Sequence, residues 1–320
     1  MRVLLTGASG FVGRALLERM SAMGSFELIA ALRRPVTDLP EAAVGVHVAG
    51  LEDDSGWQAA LDGVETVIHT AARVHVMNDK VSDPLAEFRK VNVEGTLSLA
   101  RQAAAVGVRR FIFTSSIKVN GEGTLLGKPY FADNEAAPGD PYGISKLEAE
   151  QGLRALAAKT GMEVVIIRPP LVYGPGVKAN FLSMMRWLHR GIPLPLGAIP
   201  NKRSLVALDN LVDLIVTCID HPAAANQTFL VSDGEDLSTS QLLRRMGQAL
   251  GKPARLLPVP AWMLESGATL LGRKAVAQRL CGSLQLDISK THELLSWFPP
   301  VSVDEALRKT AEHFLEHHAK

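Results

Sequence analysis

The sequence has little with which to staple, span or clamp. Its two cysteines, Cys218 and Cys281, lie far apart and outside any metal-ligand spacing. That excludes a disulfide framework and a thiolate metal centre, and fits buried apolar thiols in a reducing compartment. Long apolar runs are missing: even Leu211 to Ile219 is interrupted by Asp213, and Val3-Leu4-Leu5 is too short for the core of a secretory signal. A dominant charge is missing too. With 34 Lys and Arg against 33 Asp and Glu the formal net charge is +1, which gives no ground for binding nucleic acid. No repeat, heptad run or low-complexity segment occurs. These absences predict a soluble cytoplasmic protein without a membrane span. The chain of 320 residues is long enough to bury a large core, and two modest domains suit it better than one.

What is present begins at the N-terminus. The apolar run Val3-Leu4-Leu5 stops at Thr6-Gly7-Ala8-Ser9-Gly10-Phe11-Val12-Gly13, after which Ala15, Leu16, Leu17 and Met20 recur at helical spacing: strand, glycine turn, helix. Gly7 permits a tight turn, Gly10 lets backbone approach a pyrophosphate and Gly13 lets helix and strand pack closely. A second strand, Leu28 to Leu32, ends in Arg33-Arg34. An acidic residue there would take the ribose hydroxyls of NAD, whereas guanidinium groups accommodate the extra phosphate of NADP, so the expectation leans to NADP(H) over NAD(H).

Further strands, Val44 to Val48 before Gly50-Leu51, Thr66 to Ile68 and Arg110 to Phe113, carry small or hydroxylated residues at their ends: His69-Thr70-Ala71-Ala72 and Thr114-Ser115-Ser116. His69 reads as a packed or hydrogen-bonded histidine, since no carboxylate is suggested beside it. A helix is expected from Pro84 through Phe88, Val91, Leu97 and Leu99; the Asn92 and Gly95 inside it call for a packing or hydrogen-bonding reason. A long loop, Val119 to Asp140, ends at Pro141-Tyr142-Gly143-Ile144-Ser145-Lys146. Tyr142 and Lys146 share one helix face, and a neighbouring cation is expected to lower the phenol's pKa toward working pH. After the strand Val164 to Ile167, Arg168-Pro169-Pro170 opens a second half. In it Asn180-Phe181 begins a helix to His189, Leu211 to Ile219 and Ser240 to Leu250 are apolar-faced helices, Gln227 to Val231 is a returning strand and Asp304 to Leu315 closes the chain. His317-His318 reads as a solvated tail rather than a metal site.

Taken in order, TGASGFVG at Thr6 to Gly13, HTAA at His69 to Ala72, NVEGT at Asn92 to Thr96, Ser115-Ser116, Tyr142 with Lys146, and Arg168-Pro169 with Val172-Tyr173-Gly174-Pro175 resemble the extended short-chain dehydrogenase/reductases. Within them the chain resembles the nucleotide-sugar branch of the NAD-dependent epimerase/dehydratases, that is, UDP-galactose 4-epimerases and the UDP-N-acetylhexosamine 4-epimerases and 4-ketoreductases of bacterial surface-polysaccharide synthesis. Ser115 to Glu122, Ser283 to Asp287 and Trp297 to Pro300 look most like the latter group. The resemblance implies an α/β fold, a Rossmann-type doubly wound parallel sheet with a smaller α/β C-terminal substrate-binding domain. The first domain takes 1–170 plus about 204–232, the second about 171–203 plus 233–320. It implies a homodimer, a UDP-sugar substrate and no metal.

Residue by residue it implies that Tyr142 exchanges the proton, Lys146 binds the nicotinamide ribose and Ser116 orients the sugar oxygen. The cofactor would further meet Gly7, Ser9, Gly10, Phe11, Val12, Gly13, Arg33, Arg34, Leu51, Thr70, Ala71, Ala72, Asn92 and Pro169. The substrate would meet Ser116, Lys118, Tyr142, Asn180 and Arg203. Many epimerases have tyrosine in place of Asn120, and an aspartate in place of Gly50. Because Arg33-Arg34 favours NADPH, the resemblance is read as a UDP-4-keto-6-deoxy-N-acetylhexosamine 4-reductase. A UDP-hexose or UDP-N-acetylhexosamine 4-epimerase with bound NAD, and a non-catalytic dinucleotide sensor, are the alternatives.

Overall fold

The computed structural model describes residues 1–51, 56–74, 83–270, 272 and 274–318. In chain order its strands are β1 (Arg2–Thr6), β2 (Glu27–Leu32), β3 (Ala43–His47), β4 (Thr66–His69), β5 (Arg110–Thr114), β6 (Glu163–Arg168), β7 (Leu171–Tyr173), β8 (Leu205–Ala207) and β9 (Thr228–Leu230). The helices are α1 (Phe11–Met23), α2 (Trp57–Ala60), α3 (Pro84–Phe88), α4 (Thr96–Ala105), α5 (Pro141–Thr160), α6 (Ala179–His189), α7 (Leu208–Thr217), α8 (Thr239–Ala249), α9 (Ala261–Leu270), α10 (Lys274–Cys281), α11 (Ser289–Leu295) and α12 (Val303–His318). Seven strands make one parallel sheet in the order β3-β2-β1-β4-β5-β6-β9, and β7 pairs with β8 apart from it.

Strands buried on both faces must be apolar throughout, which is why β1, β5 and β6 read as unbroken Val, Leu, Ile and Phe runs. α1 and α7 cover one face with Leu16, Leu17, Met20, Leu211 and Ile215. α2, α4 and α5 cover the other with Trp57, Leu99, Ala149 and Leu153. The chain leaves β1 toward β2 on one side and β4 on the other, so the crevice beyond their C-terminal ends is where such sheets take ligands. A separate core joins α6, α8 and α12 through Phe181, Met185, Leu243, Met246 and Phe314. A small fourth core seats Leu284 and Leu286 against Ile117 and Ala132, tying the 119–140 loop to the late chain.

The helix expected from Pro84 is interrupted. Between α3 and α4 the backbone widens into a π-helix, Arg89–Gly95, and the reason lies in the two residues that looked out of place. The Asn92 side chain accepts from Arg73 N at 2.8 Å and donates to Arg73 O at 3.0 Å and Ser145 Oγ at 3.1 Å. A Cβ on Gly95 would stand 2.6 Å from that of Leu51. The widened turn aims the amide and brings the backbone under Leu51, as such bulges do at functional sites. Among the described residues no helix is long and apolar enough to cross a membrane.

Candidate active site

The glycine turn is built for close backbone approach. Gly7 has φ +70°, and a Cβ there would meet Ala71 N at 2.7 Å; a Cβ on Gly13 would meet Gly7 O at 2.1 Å. Thr70 Oγ1 donates to Thr6 O at 2.7 Å, clamping the end of β4 to β1. Ser9 and Gly10 stay exposed at the N-terminus of α1, whose free amides favour a diphosphate. Phe11, Val12, Ala71 and Ala72 line the same end half-buried, and Leu51 and Pro169 are buried. The cradle fits a dinucleotide. Arg33 and Arg34 are exposed beyond β2. The chain then folds back so that Asp38 reaches Arg14 at 2.6 Å, beside a small cavity of about 50 Å³ lined by Ser9, Leu32 and Asp38. A carboxylate thus stands near the C-terminal end of β2, paired with Arg14. Glu52 and Asp53 lie outside the described residues.

His69 is the packed histidine the sequence indicated. Its Nδ1 lies 2.7 Å from Thr6 Oγ1 and its Nε2 3.0 Å from Thr96 Oγ1. Burial first, and then the Lys146 charge, pull its pKa down to about 3, so it remains neutral.

The reacting edge is assembled by β5 and α5. Ser116 caps the short helical turn Ile117–Val119, accepting from Lys118 N at 3.3 Å. Asp140 caps α5, accepting from Gly143 N at 2.7 Å, and Pro141 takes the first turn, where its missing N–H loses nothing. That start puts Tyr142 at the cleft, edge-on to Phe88 at 5.8 Å, and Lys146 one turn deeper. Lys146 Nζ donates to Thr114 O at 2.8 Å and lies 4.3 Å above the Phe113 ring. Lys118, expected either at the substrate or as a solvated loop residue, is held by Asp140 and lies 3.4 Å from Glu122.

The expected lowering of the phenol is corrected by the structure. Burial, then the Asp140 charge, raise Tyr142 above its ordinary value, while burial brings Lys146 down to about 7 against the opposing pull of Glu150. In the protein alone burial sets the direction for both groups; a cation beside the phenol would favour its ionised form.

Sequence reasoning missed the group that braces this edge. Glu150, one turn beyond Lys146, is fully buried. Its Oε1 accepts from Ser115 Oγ at 2.6 Å and Arg168 Nε at 2.9 Å; its Oε2 accepts from Arg168 Nη2 at 2.6 Å and Arg154 Nη2 at 3.0 Å. Arg168 Nη1 donates to Asn120 Oδ1 at 2.9 Å. Asn120, the position where many epimerases have tyrosine, is therefore a buried partner of Arg168. The available signal was Glu150 four residues after Lys146 on an inward helix face.

On the far side Asn180 is exposed in the first turn of α6, whose N-cap has no side-chain bond. Arg203 donates from Nη1 to Gly282 O at 3.0 Å; burial and the nearby Arg279 both lower its pKa. Neither arginine has an ion-pair partner among the described residues, a pairing of like charges that suits a diphosphate. Arg279 was not singled out from the sequence. No hydrogen bond or ion pair joins Asn180 or Arg203 to Ser116, Tyr142 or Lys146 among the described residues. The segment 283–287 links the two sides: Leu284 N donates to Lys202 O at 2.9 Å and Asp287 N to Tyr130 O at 2.8 Å. A cavity of about 970 Å³ runs from Ser9, Gly10 and Phe11 along α1 toward α7 and α12 and is lined by none of Ser116, Tyr142 and Lys146. It meets the site only at the glycine turn. Among the described residues no group of three or more His, Cys, Asp or Glu could hold a metal.

Known proteins are similar to this chain. Residues 3–232 match the family described as "NAD dependent epimerase/dehydratase family". A UDP-glucose 4-epimerase of Vibrio cholerae is 50% identical over 315 residues, 98% of this chain and 95% of its own. An N-acetyl-alpha-D-glucosaminyl-diphospho-ditrans,octacis-undecaprenol 4-epimerase of Escherichia coli O157:H7 is 31% identical over 335 residues, 99% of this chain and 96% of its own. The fold matches the UDP-glucose 4-epimerase of Thermus thermophilus in complex with NAD, with a TM-score of 0.80 at 23% identity over 99% of this chain and 100% of that one. This chain belongs to the NAD-dependent epimerase/dehydratase family.

Proposed function

We propose that the protein is a UDP-hexose 4-epimerase that keeps NAD bound and interconverts its substrates without consuming reducing equivalents. The observation that carries this is the 50% identity, over 98% of the chain, to a UDP-glucose 4-epimerase. The reductase reading rested on Arg33-Arg34 selecting NADPH. In the fold those side chains are exposed, and Asp38 stands beside Ser9 and Leu32 as a ribose-binding carboxylate.

The turn that Gly7 and Gly13 shape would hold the pyrophosphate of NAD at Ser9 and Gly10, Asn92 fixes the Arg73 backbone, and Lys146 and Tyr142 would hold the nicotinamide ribose. Bound NAD supplies the hydride acceptor and donor at the sugar's C4. Tyr142, as the phenolate that a neighbouring cation favours, would take the proton of the C4 hydroxyl and later return it, and Ser116 Oγ would hydrogen-bond the same oxygen. Asn180, Arg203 and Arg279 hold the diphosphate, leaving the hexose free to present either face while its anchor stays put. Purified protein given UDP-galactose and no added nicotinamide should form UDP-glucose and release NAD on denaturation. Turnover only of a UDP-4-keto sugar, with NADPH consumed one for one, would restore the reductase.

A further inference from the structure

The near-zero net charge conceals a sharp division. Between Leu171 and Leu208, and between Leu237 and Leu286, the sequence carries twelve Lys and Arg against one acidic residue, Glu265, in a chain whose formal charge is +1. Lys202, Arg203 and Arg279 adjoin the substrate cleft, and Arg245 is paired with Glu235 and Asp304. Arg186, Arg190, Arg244, Lys252 and Arg255 are exposed, and none of the five has an ion-pair partner among the described residues.

The same strip carries an apolar surface that the chain leaves uncovered. Trp187 is 43% exposed, Ile192 39%, Leu257 52%, Trp262 66%, Met263 49% and Leu270 89%. Of the four tryptophans, Trp57 and Trp297 are buried; the two exposed ones are both here. These residues adjoin one another through the backbone. Ile192 N donates to Trp187 O at 3.1 Å, Leu194 N to Arg255 O at 2.9 Å and Gly197 N to Leu257 O at 2.9 Å, and Ala198 bridges Pro260, where α9 begins. The cations interleave with them: Arg244 Nη2 donates to Gly197 O at 3.0 Å and Lys252 Nζ to His189 O at 2.9 Å. α9 itself has no buried residue and a single charge, Glu265. Its Ala261 and Leu264 rest on the third core, while Trp262, Met263 and Leu270 point away.

We propose that this outer face of the substrate half docks on an anionic phospholipid bilayer, α9 lying in the headgroup layer and the five cations on the lipid phosphates. Tryptophan and leucine on the outward side of a helix that does not span are the side chains that enter an interface, and Lys and Arg without ion-pair partners around them supply the attraction to a negative leaflet. The inference stands independently of which sugar is turned over.

The test is co-sedimentation of the intact protein with sucrose-loaded vesicles of phosphatidylglycerol and phosphatidylcholine, or of phosphatidylcholine alone. The protein should pellet at least about tenfold more with the anionic vesicles and be released by about 0.5 M salt. A Trp262→Asp, Leu270→Asp double variant should lose at least about tenfold of that binding, with melting temperature and turnover of soluble UDP-sugar unchanged. Equal pelleting with both vesicle types, or full binding by the double variant, overturns the proposal. So does a double variant that alters the sedimentation coefficient of vesicle-free protein, which would make the face a contact between copies. Loss of soluble turnover with vesicle binding intact would count against the epimerase alone.

Discussion

The nucleotide-binding half and the substrate half hold their functional groups by different means. In the first, the turn at Gly7 and the residues Thr70, Ser116, Tyr142 and Lys146 stand at strand ends or on the first turns of helices, and buried bonds brace them: His69 between two threonines, Glu150 between Ser115 and Arg168. In the second, Asn180 and Arg203 sit on a helix start and an irregular segment, with cations left unpaired. The first half is organised before ligand arrives; in the second, the proposed diphosphate would complete the site. Changes in the first should therefore appear in stability and kcat, and changes in the second in KM.

The largest effect expected is that of Tyr142→Phe. It removes the proton carrier without touching the fold, so kcat should fall roughly 10²–10⁴-fold with an unchanged melting curve; retained turnover would assign the proton to another group. Next comes Glu150→Ala, which leaves Arg168 charged and buried at 4% side-chain exposure. Urea titration should show a loss of about 3–5 kcal/mol.

Lys146 links stability to pH in a direction that follows from its lowered folded value. Between about 7 and its unfolded value of 10.5 the unfolded chain binds more protons than the folded one, so stability rises with pH across that window. Below about 7 both states carry the charge and the burial penalty is complete. Lys146→Met should abolish this slope and gain on the order of a few kcal/mol at pH 6. The same slope in wild type and variant would place the titration elsewhere. The smallest effect on the fold belongs to Arg203→Ala. It should raise KM for the UDP-sugar roughly 10–100-fold, the worth of one or two charged hydrogen bonds, and leave stability unchanged or slightly higher, since it removes a half-buried cation near Arg279. A loss of several kcal/mol instead would make Arg203 a brace like Arg168.

The same contrast explains what could be read from the sequence. Glycine spacing, apolar strand runs and the Tyr142–Lys146 interval are local and carry their physics within a few residues, so the sheet and the reacting edge were legible. The ionisation of Tyr142 was not: its environment is made by burial and by Asp140, and only the fold shows that desolvation wins. Nor were Glu150 with Arg168, eighteen residues apart, or Arg203 with Arg279, which meet only after the chain has crossed between halves. Nor was the Asp38–Arg14 pair, which forms only because the chain after β2 folds back on α1.

The proposed epimerase would keep one NAD bound and return the C4 hydride to the same sugar within one site. UDP-galactose labelled with deuterium at C4 tests it most directly, with unlabelled NADH and NADPH present in solution. The account predicts UDP-glucose that retains the deuterium at C4 and leaves the soluble nicotinamides unlabelled. Product carrying hydrogen at C4, with deuterium in the soluble pool, would contradict it.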